Sequence, residues 1–294
     1  MKNNQNKNLK IEEYMEFIPL DKSWLTRVGV LDIINGYDDI EKILNKQTDL
    51  NGDLLALKNA SNTWNTGMPI NVGESATLYR LLQFASWKLG LNKKFIKEDT
   101  LKGRMITNDP SIVNLNTKEL LKLDNGTTQW ATASVIAGNK ERISNPPNKL
   151  QQTYDAVDHW NKQRALGLVW EPHYDETIQK QAKVFLDLLS GKKIIFTPVC
   201  SDDYCFARVF DYITKENGEK NWPSLRGHET DRIEEMEKAI REAERSEVIT
   251  SLDHRVIQAL AMWCKVYNKK LSFLHKDKVN KSWPKFWDFI TSLE

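Results

Sequence analysis

The sequence predicts an α/β fold of the mixed, α+β kind. Three observations support this: short apolar runs alternate with segments of helical spacing, a strong breaker lies near the middle of the chain at residues 145–148, and the mixed pattern repeats beyond it. We therefore expect strands and helices in both halves of the chain.

In the first half, the apolar runs at residues 16–20 and 54–58 are typical of strands. Helical spacing of apolar residues predicts three helices before the breaker. They cover residues 24–34, 77–89 and 129–137. This alternation is the first of the two mixed halves.

In the second half, residues 193–199 predict a buried strand, and several segments predict helices. The helices cover residues 150–166, 176–189, 203–213, 229–247, 253–267 and 281–293. The helix at 229–247 is highly charged with one apolar stripe, so we expect a solvated amphipathic helix there. Aromatic residues of the last helix are expected in the core.

Composition limits the classes of function. The 42 basic residues nearly balance the 40 acidic ones, giving a net charge of +2. This balance argues against a nucleic-acid partner, and no apolar stretch long enough for a membrane span is seen. Any anionic ligand must therefore be bound by a local cluster of positive groups.

The three cysteines, Cys200, Cys205 and Cys264, form no CxxC pair, which favours a reducing compartment and buried structural roles. The lysine-rich first residues are followed by no apolar segment, so we expect a frayed terminus and a cytoplasmic protein. The spacing of His159, His173 and His275 predicts no metal site.

Short polar clusters interrupt the pattern, and each one alone is typical of a surface or a helix cap. In the first half they are Lys22-Ser23 with Arg27, the run from Gly73 through Glu74, Ser75, Ala76 and Thr77 to Arg80, then Arg104, and Thr127-Thr128-Gln129. In the second half they are Arg226 through His228, Glu229, Thr230 and Asp231 to Arg232, and then Asp253-His254-Arg255.

Taken in order, these clusters resemble the signature blocks of 5-enolpyruvylshikimate-3-phosphate (EPSP) synthases over nearly the whole chain. Residues 225–232, for example, are similar to the family's Leu-Arg-x-Lys-Glu-(Ser/Thr)-Asp-Arg, and residues 253–255 match its Asp-His-Arg. The related UDP-N-acetylglucosamine enolpyruvyl transferases share the fold but lack this combination. The resemblance therefore favours shikimate 3-phosphate as the acceptor.

The resemblance implies a transferase of the shikimate pathway, which serves chorismate and aromatic amino acid biosynthesis. Such an enzyme moves the enolpyruvyl group of phosphoenolpyruvate to the 5-hydroxyl of shikimate 3-phosphate by addition and loss of phosphate. It implies no cofactor, no metal, only small-molecule partners, and a monomer. Both substrates are anions, which explains the need for arginines that bind phosphate or carboxylate through two donors.

The resemblance also assigns roles to single residues. Proton transfer is assigned to Lys22, Asp203 and Glu229, and Asp202 is the alternative to Asp203. Binding of phosphoenolpyruvate is assigned to Lys22, Ala76, Arg104, Gln129, Arg232, Arg255 and Lys281. Binding of shikimate 3-phosphate is assigned to Ser23, Arg27, Thr127, Thr128, Gln129, Thr153, Asp203 and His228.

Three departures from the family pattern leave other functions open. Glu74 places a carboxylate where an Asn usually faces phosphoenolpyruvate, His228 replaces a Lys that contacts the acceptor, and Ala76 replaces a Gly. The chain is also shorter than the family's members. An enolpyruvyl transferase with a different acceptor, or a non-catalytic descendant that still binds anions, remains an alternative.

The resemblance implies a two-domain fold of repeated βαβαββ units, some of them shortened, with substrates bound in the cleft between the domains. We expect a first domain at residues 21–190 and a second at 191–294, although the break at Pro146-Pro147 is an alternative boundary. Residues 1–20 form an N-terminal segment that can cross to the second domain.

Overall fold

A computed structural model describes residues 9–124, 127–226 and 231–293. In this part of the chain the structure is mainly helical. Its only strands are four strands of two residues each, which form two small parallel sheets. This corrects the prediction of an α/β fold with repeated βαβαββ units, because sheets of two strands cannot form such units. Within the same ranges, no helix has the length and apolar character needed to cross a bilayer.

The chain divides into two compact units. We call Leu20–His173 the central unit, and Met1–Pro19 together with Tyr174–Glu294 the terminal unit. Residues 174–190, which the sequence analysis placed in the first domain, thus cluster with the C-terminal part of the chain, as do the first residues.

The central unit consists of helices and one small parallel sheet. Its elements are α1 (Lys22–Asn35), α2 (Asp39–Asn45), α3 (Gly52–Thr63), β1 (Ile70–Asn71), α4 (Ala76–Lys88), β2 (Phe95–Ile96), α5 (Asp99–Lys102), a 3-10 helix (Pro110–Asn114), α6 (Thr117–Leu123), α7 (Gln129–Ile136) and α8 (Asn148–Ala165). Helix α4 packs against α7, and α1 packs against α3 and α8. The helices predicted near α1, α4, α7 and α8 are confirmed.

The local sequence explains why α1 begins and ends where it does. The Asp21 carboxylate accepts the N–H groups of Ser23 and Trp24, which caps the first turn. Gly36 ends the helix with a left-handed φ of 77°, a conformation that glycine adopts without strain. Most residues between these ends are buried, so α1 is a core helix of the central unit.

The terminal unit has its own apolar core. Its elements are a 3-10 helix (Ile11–Phe17), α9 (Glu176–Leu189), a 3-10 helix (Ser201–Asp203), α10 (Tyr204–Val209), α11 (Lys215–Asn221), a 3-10 helix (Pro223–Leu225), α12 (Arg232–Arg245), β3 (Val248–Ile249), α13 (His254–Val266), β4 (Ser272–Phe273), a 3-10 helix (Lys276–Lys281) and α14 (Phe286–Thr291). Helix α13 is central, since it packs against α9, α10, α12 and α14.

The segments predicted as strands have other structures. Residues 16 and 17 end the first 3-10 helix, residues 18–20 follow it, and residues 54–58 lie inside α3. There Asn51 caps the helix by accepting the N–H of Leu54. The run, in which apolar and polar residues do not alternate regularly, is therefore helical. Residues 193–199 form no strand, because no neighbouring strand pairs with them in the described ranges, and Ile195 and Val199 are exposed.

Both units contain the same local arrangement of strand, helix and parallel strand. In the central unit it is β1–α4–β2, with Ile70 opposite Phe95. In the terminal unit it is β3–α13–β4, with Val248 opposite Ser272. The connecting helices have equal lengths of 13 residues. In each unit this arrangement follows a capped helix, α3 or α12, so the polar clusters at the starts of α4 and α13 occupy equivalent places.

Candidate functional site

The start of α13 brings two of the predicted residues together. The Asp253 carboxylate caps this helix by accepting the N–H groups of Arg255 at 2.8 Å and Val256 at 3.4 Å. Its second oxygen accepts Nε of Arg232 at 2.9 Å. Because Arg232 is the first residue of α12, this carboxylate links the starts of two helices.

Burial and charge act against each other at this link. Burial favours the neutral form of Asp253, but Arg232, His254 and the hydrogen bonds from Arg232 and Arg255 outweigh it and lower the pKa of Asp253 to about 2. Burial likewise opposes the charge on Arg232, yet the negative groups around it, Asp253 first, raise its pKa. Both groups are therefore ionised at neutral pH.

Arg255 differs from Arg232 in its hydrogen bonding. Only 7% of its side chain is exposed, yet Nε and Nη1 have no hydrogen-bond partner in the part of the chain that the structure describes. Its ion pair is long, with 3.9 Å between Nη2 and Oδ2 of Asp202. Arg255 is thus a buried cation with unfilled donors, which is uncommon in folded proteins.

Asp202 lies beside both arginines, since its other oxygen is 3.4 Å from Nη1 of Arg232. Asp203, to which the resemblance assigns proton transfer, has other partners. Its carboxylate is 1% exposed and accepts the N–H of Val199 at 2.9 Å and Nε2 of Gln181 at 3.0 Å. The structure therefore places Asp202, and not Asp203, beside the two arginines. In the described ranges the ion pair of Asp203 is with Lys180.

We name the group formed by Asp202, Arg232, Asp253 and Arg255 the arginine cluster. Cys205 lies close enough to feel all four charges, but burial is the larger influence and raises the pKa of its thiol. A protonated, buried thiol is a poor nucleophile, so Cys205 has the structural role expected from the sequence.

In the central unit, several predicted ligands are already bonded within the protein. Lys22 forms an ion pair with Asp53, with 2.8 Å between Nζ and Oδ2. The buried Arg27 donates to Thr153 Oγ1 at 2.9 Å, to the Ser23 carbonyl at 2.7 Å and to the Lys149 carbonyl at 3.2 Å. Thr153 is itself fully buried. Arg27 and Thr153 thus connect α1 to α8.

A second basic group lies at the start of α4. Arg80 Nη1 donates to Gln129 Oε1 and to the carbonyl of Ala76, and Arg104 is near enough to lower the pKa of Arg80, after the larger influence of burial. This group connects α4 to the start of α7. It includes three predicted phosphoenolpyruvate ligands: Ala76, Arg104 and Gln129.

The predicted threonines lie next to this group. Thr127 donates its hydroxyl to Asp124, and Asp124 caps α7 by accepting the N–H groups of Trp130 and Ala131. Thr128 precedes α7 but its side chain forms no cap. Asp124 was missed in the sequence, because its distance of six residues from Trp130 matches no standard cap spacing.

The remaining predictions fall elsewhere. His228 and Glu229 lie outside the described residues. Lys281 is exposed at the end of a 3-10 helix, and its neighbour Ser282 is held by Gln258 of α13 at 3.0 Å. No group of three or more potential metal ligands occurs in residues 9–124, 127–226 and 231–293.

Asp53 was also missed, since its partner Lys22 lies 31 residues away in the sequence.

Comparison with known proteins found no matching family model, no matching curated protein and no matching solved structure.

Proposed function

We propose that the terminal unit binds a small anion, through a phosphate or carboxylate group, between Arg232 and Arg255. The observation that carries this proposal is the unfilled hydrogen-bonding capacity of the buried Arg255. Removing a guanidinium from water without replacing its hydrogen bonds costs several kcal/mol by order of magnitude, so such sites are usually completed by a ligand or by ordered water.

The surroundings of Arg255 favour an anion over water. A second guanidinium, that of Arg232, lies at the same carboxylate, so two cations already converge on one point. Oxyanions satisfy guanidinium donors with shorter and stronger hydrogen bonds than neutral oxygens do. Phosphoenolpyruvate carries both a phosphate and a carboxylate, and the resemblance of residues 225–232 and 253–255 makes it the first ligand to test.

The test is isothermal titration of the protein with phosphoenolpyruvate at constant ionic strength. Arg255→Gln removes the positive charge and keeps a side chain of moderate length, and we expect affinity to fall by about tenfold or more. Arg208→Gln is the matched control. Arg208 is buried to a similar degree as Arg232 but its donors are filled by Glu237 at 2.7 and 3.1 Å, so this change should leave affinity nearly unaltered.

Two results would contradict the proposal. One is the absence of saturable binding of phosphoenolpyruvate and inorganic phosphate by the unmodified protein. The other is an equal loss of affinity in Arg255→Gln and Arg208→Gln, because that would trace the effect to general damage of the terminal unit. Thermal melting of both variants separates folding from binding.

A second candidate is enolpyruvyl transfer from phosphoenolpyruvate to the 5-hydroxyl of shikimate 3-phosphate. It is favoured by the order of the polar clusters along the chain, and by the meeting of residues from two of them in the arginine cluster. The reaction requires a proton donor and acceptor, roles that the resemblance gives to Lys22, Glu229 and an aspartate. Another acceptor, or binding without turnover, is the alternative.

Release of inorganic phosphate from phosphoenolpyruvate tests this candidate directly. We expect release only when shikimate 3-phosphate is also present. Binding of phosphoenolpyruvate without any phosphate release, over a range of acceptors, would restrict the function to anion binding.

A further inference from the structure

We infer that Asp202 occupies the place of the ligand's anionic group and swings out when the anion binds. This inference rests on the proposed function of the arginine cluster and adds a residue that controls its affinity. Asp202 would then be an internal competitor of the ligand, and not the base that takes the acceptor's proton.

The geometry of Asp202 is that of a carboxylate bound between two guanidiniums. One oxygen faces Arg232 at 3.4 Å and the other faces Arg255 at 3.9 Å. Both distances exceed the roughly 2.7–2.9 Å of a close bond between a guanidinium and a carboxylate. Asp202 therefore lies between the two guanidiniums but forms a close hydrogen bond with neither. The anionic group of a small ligand, which is not attached to the protein backbone, could approach both more closely.

The other acidic side chains nearby are held differently. Asp253 is 4% exposed and is fixed by two backbone N–H groups of α13 and by Arg232. Asp203 is 1% exposed and is fixed by Val199 and Gln181. Asp202 is 41% exposed, so a change of side-chain rotamer can carry its carboxylate toward water without moving the backbone.

The charges of the cluster give this movement a consequence. With Asp202 in place, the positive charges of Arg232 and Arg255 are balanced by the negative charges of Asp202 and Asp253. When Asp202 turns away, one net positive charge remains for the ligand. The apparent affinity for an anion is then reduced by the fraction of molecules in which Asp202 occupies the site.

The ligand group must replace both oxygens of Asp202, one at each arginine. A carboxylate or a phosphate fits this requirement because it has two or more oxygens, whereas chloride is a single atom and does not. Titrations with acetate, inorganic phosphate and phosphoenolpyruvate distinguish a carboxylate site from a phosphate site.

The decisive variant is Asp202→Asn, which keeps the size of the side chain but removes its charge. We expect its affinity for whichever of the three probes the unmodified protein binds to rise by about tenfold. Asp202→Ala, which removes the competing group altogether, should show a rise of the same order. Unchanged or weaker binding in both variants would overturn the inference, because it would show that Asp202 orients the arginines or takes no part.

Asp211→Asn is the matched control. Asp211 also lies 3.4 Å from an arginine, Arg208, but its side chain is 91% exposed and is not part of the arginine cluster. The affinity of the Asp211→Asn protein for the probes should equal that of the unmodified protein. If neither the unmodified protein nor the Asp202 variants bind any probe, the proposed function itself fails. Binding only after Asp202 is replaced would show that Asp202 competes for the site, and would contradict anion binding as a function of the unmodified protein.

Discussion

At the scale of single residues, the terminal unit places two guanidiniums and the Asp253 carboxylate where little water reaches them. Arg232 and Asp253 are 19% and 4% exposed and lie 2.9 Å apart. Taking such a pair out of water costs free energy, and the mutual attraction offsets this cost only when both partners remain. Loss of one partner leaves a buried charge, so single substitutions here change the stability of the unit.

The lowered pKa of Asp253 predicts an acid-sensitive contribution to stability. Because its folded-state pKa of about 2 lies below the ordinary value of 3.8, the ionised group stabilises the folded unit fully above about pH 4. This contribution, on the order of 2 kcal/mol, is lost as the pH falls from about 4 through about 2. The free energy of unfolding by urea, measured between pH 2 and pH 6, should show the loss.

Asp253→Asn is the comparison variant, because Asn caps a helix nearly as well but carries no charge. We expect it to be less stable at neutral pH and to have a shallower dependence on pH below 4. Parallel pH profiles for the two proteins would show that Arg232 and Asp253 do not interact as the structure indicates.

Part of the candidate site could be predicted at this scale and part could not. Arg232 and Arg255 were proposed as ligands from the family resemblance of short motifs, and their role as ligands stays a prediction. The structure shows that Asp253 links the two residues. The choice between Asp202 and Asp203 depends on non-local partners, chiefly Gln181, which donates to Asp203. Adjacent residues of one type offer no sequence signal for such partners.

At the scale of elements, close packing around α1 limits what its sequence can be. Gly29 lies in the middle of this helix, where a Cβ atom would come within 2.8 Å of Ile40 Cγ1 and 3.0 Å of Leu57 Cδ2. Both neighbours are fully buried. Glycine therefore allows α1 to approach α2 and α3 closely, at the expense of helix propensity.

We expect Gly29→Ala to destabilise the protein, because overpacking costs about 1–3 kcal/mol whereas the gain in helix propensity is about 1 kcal/mol. Gly52→Ala is the matched control in the same unit. Gly52 begins α3, and a Cβ atom there would meet nothing within 4 Å. Thermal unfolding should show a lower midpoint for Gly29→Ala only, and equal midpoints would mean that α1, α2 and α3 pack less closely than described.

Helices were easier to predict than strands for a physical reason. A helix satisfies its backbone within itself, so the caps and spacing of α1, α9 and α13 are readable locally. A strand needs a partner from elsewhere in the chain. Residues 193–199 have the apolar, β-branched composition of a strand, but Pro198 lacks an N–H group, and no described strand lies beside them.

At the scale of the whole molecule, the two units differ in how the chain enters them. The central unit is one continuous segment, Leu20–His173, whereas the terminal unit joins the first residues of the chain to its last part. The sequence suggested that the N-terminal segment can cross to the second domain, but only by family resemblance. Nothing in the composition of residues 9–19 specifies which distant side chains they contact.

The N-terminal segment is part of the core of the terminal unit. Ile11 and Ile18 are 6% and 4% exposed, and the Phe17 carbonyl accepts Nε1 of Trp283 at 2.6 Å. The ring of Tyr14 meets that of Phe289 edge-on, with 5.8 Å between centroids. Burial of each isoleucine contributes about 2 kcal/mol, a large share of the stability of a unit this size.

These contacts predict different behaviour for two fragments. Residues 20–173 contain all the elements of the central unit and should unfold cooperatively when expressed alone. Residues 174–294 lack the N-terminal segment and should be markedly less stable, with exposed apolar surface. Adding a peptide of residues 9–19 should restore cooperative unfolding of this second fragment, whereas the same peptide with Ile18→Ser should restore less. Circular dichroism during heating measures each case. A fragment 174–294 that melts as sharply without the peptide as with it would show that the segment lies on the terminal unit without supporting its fold.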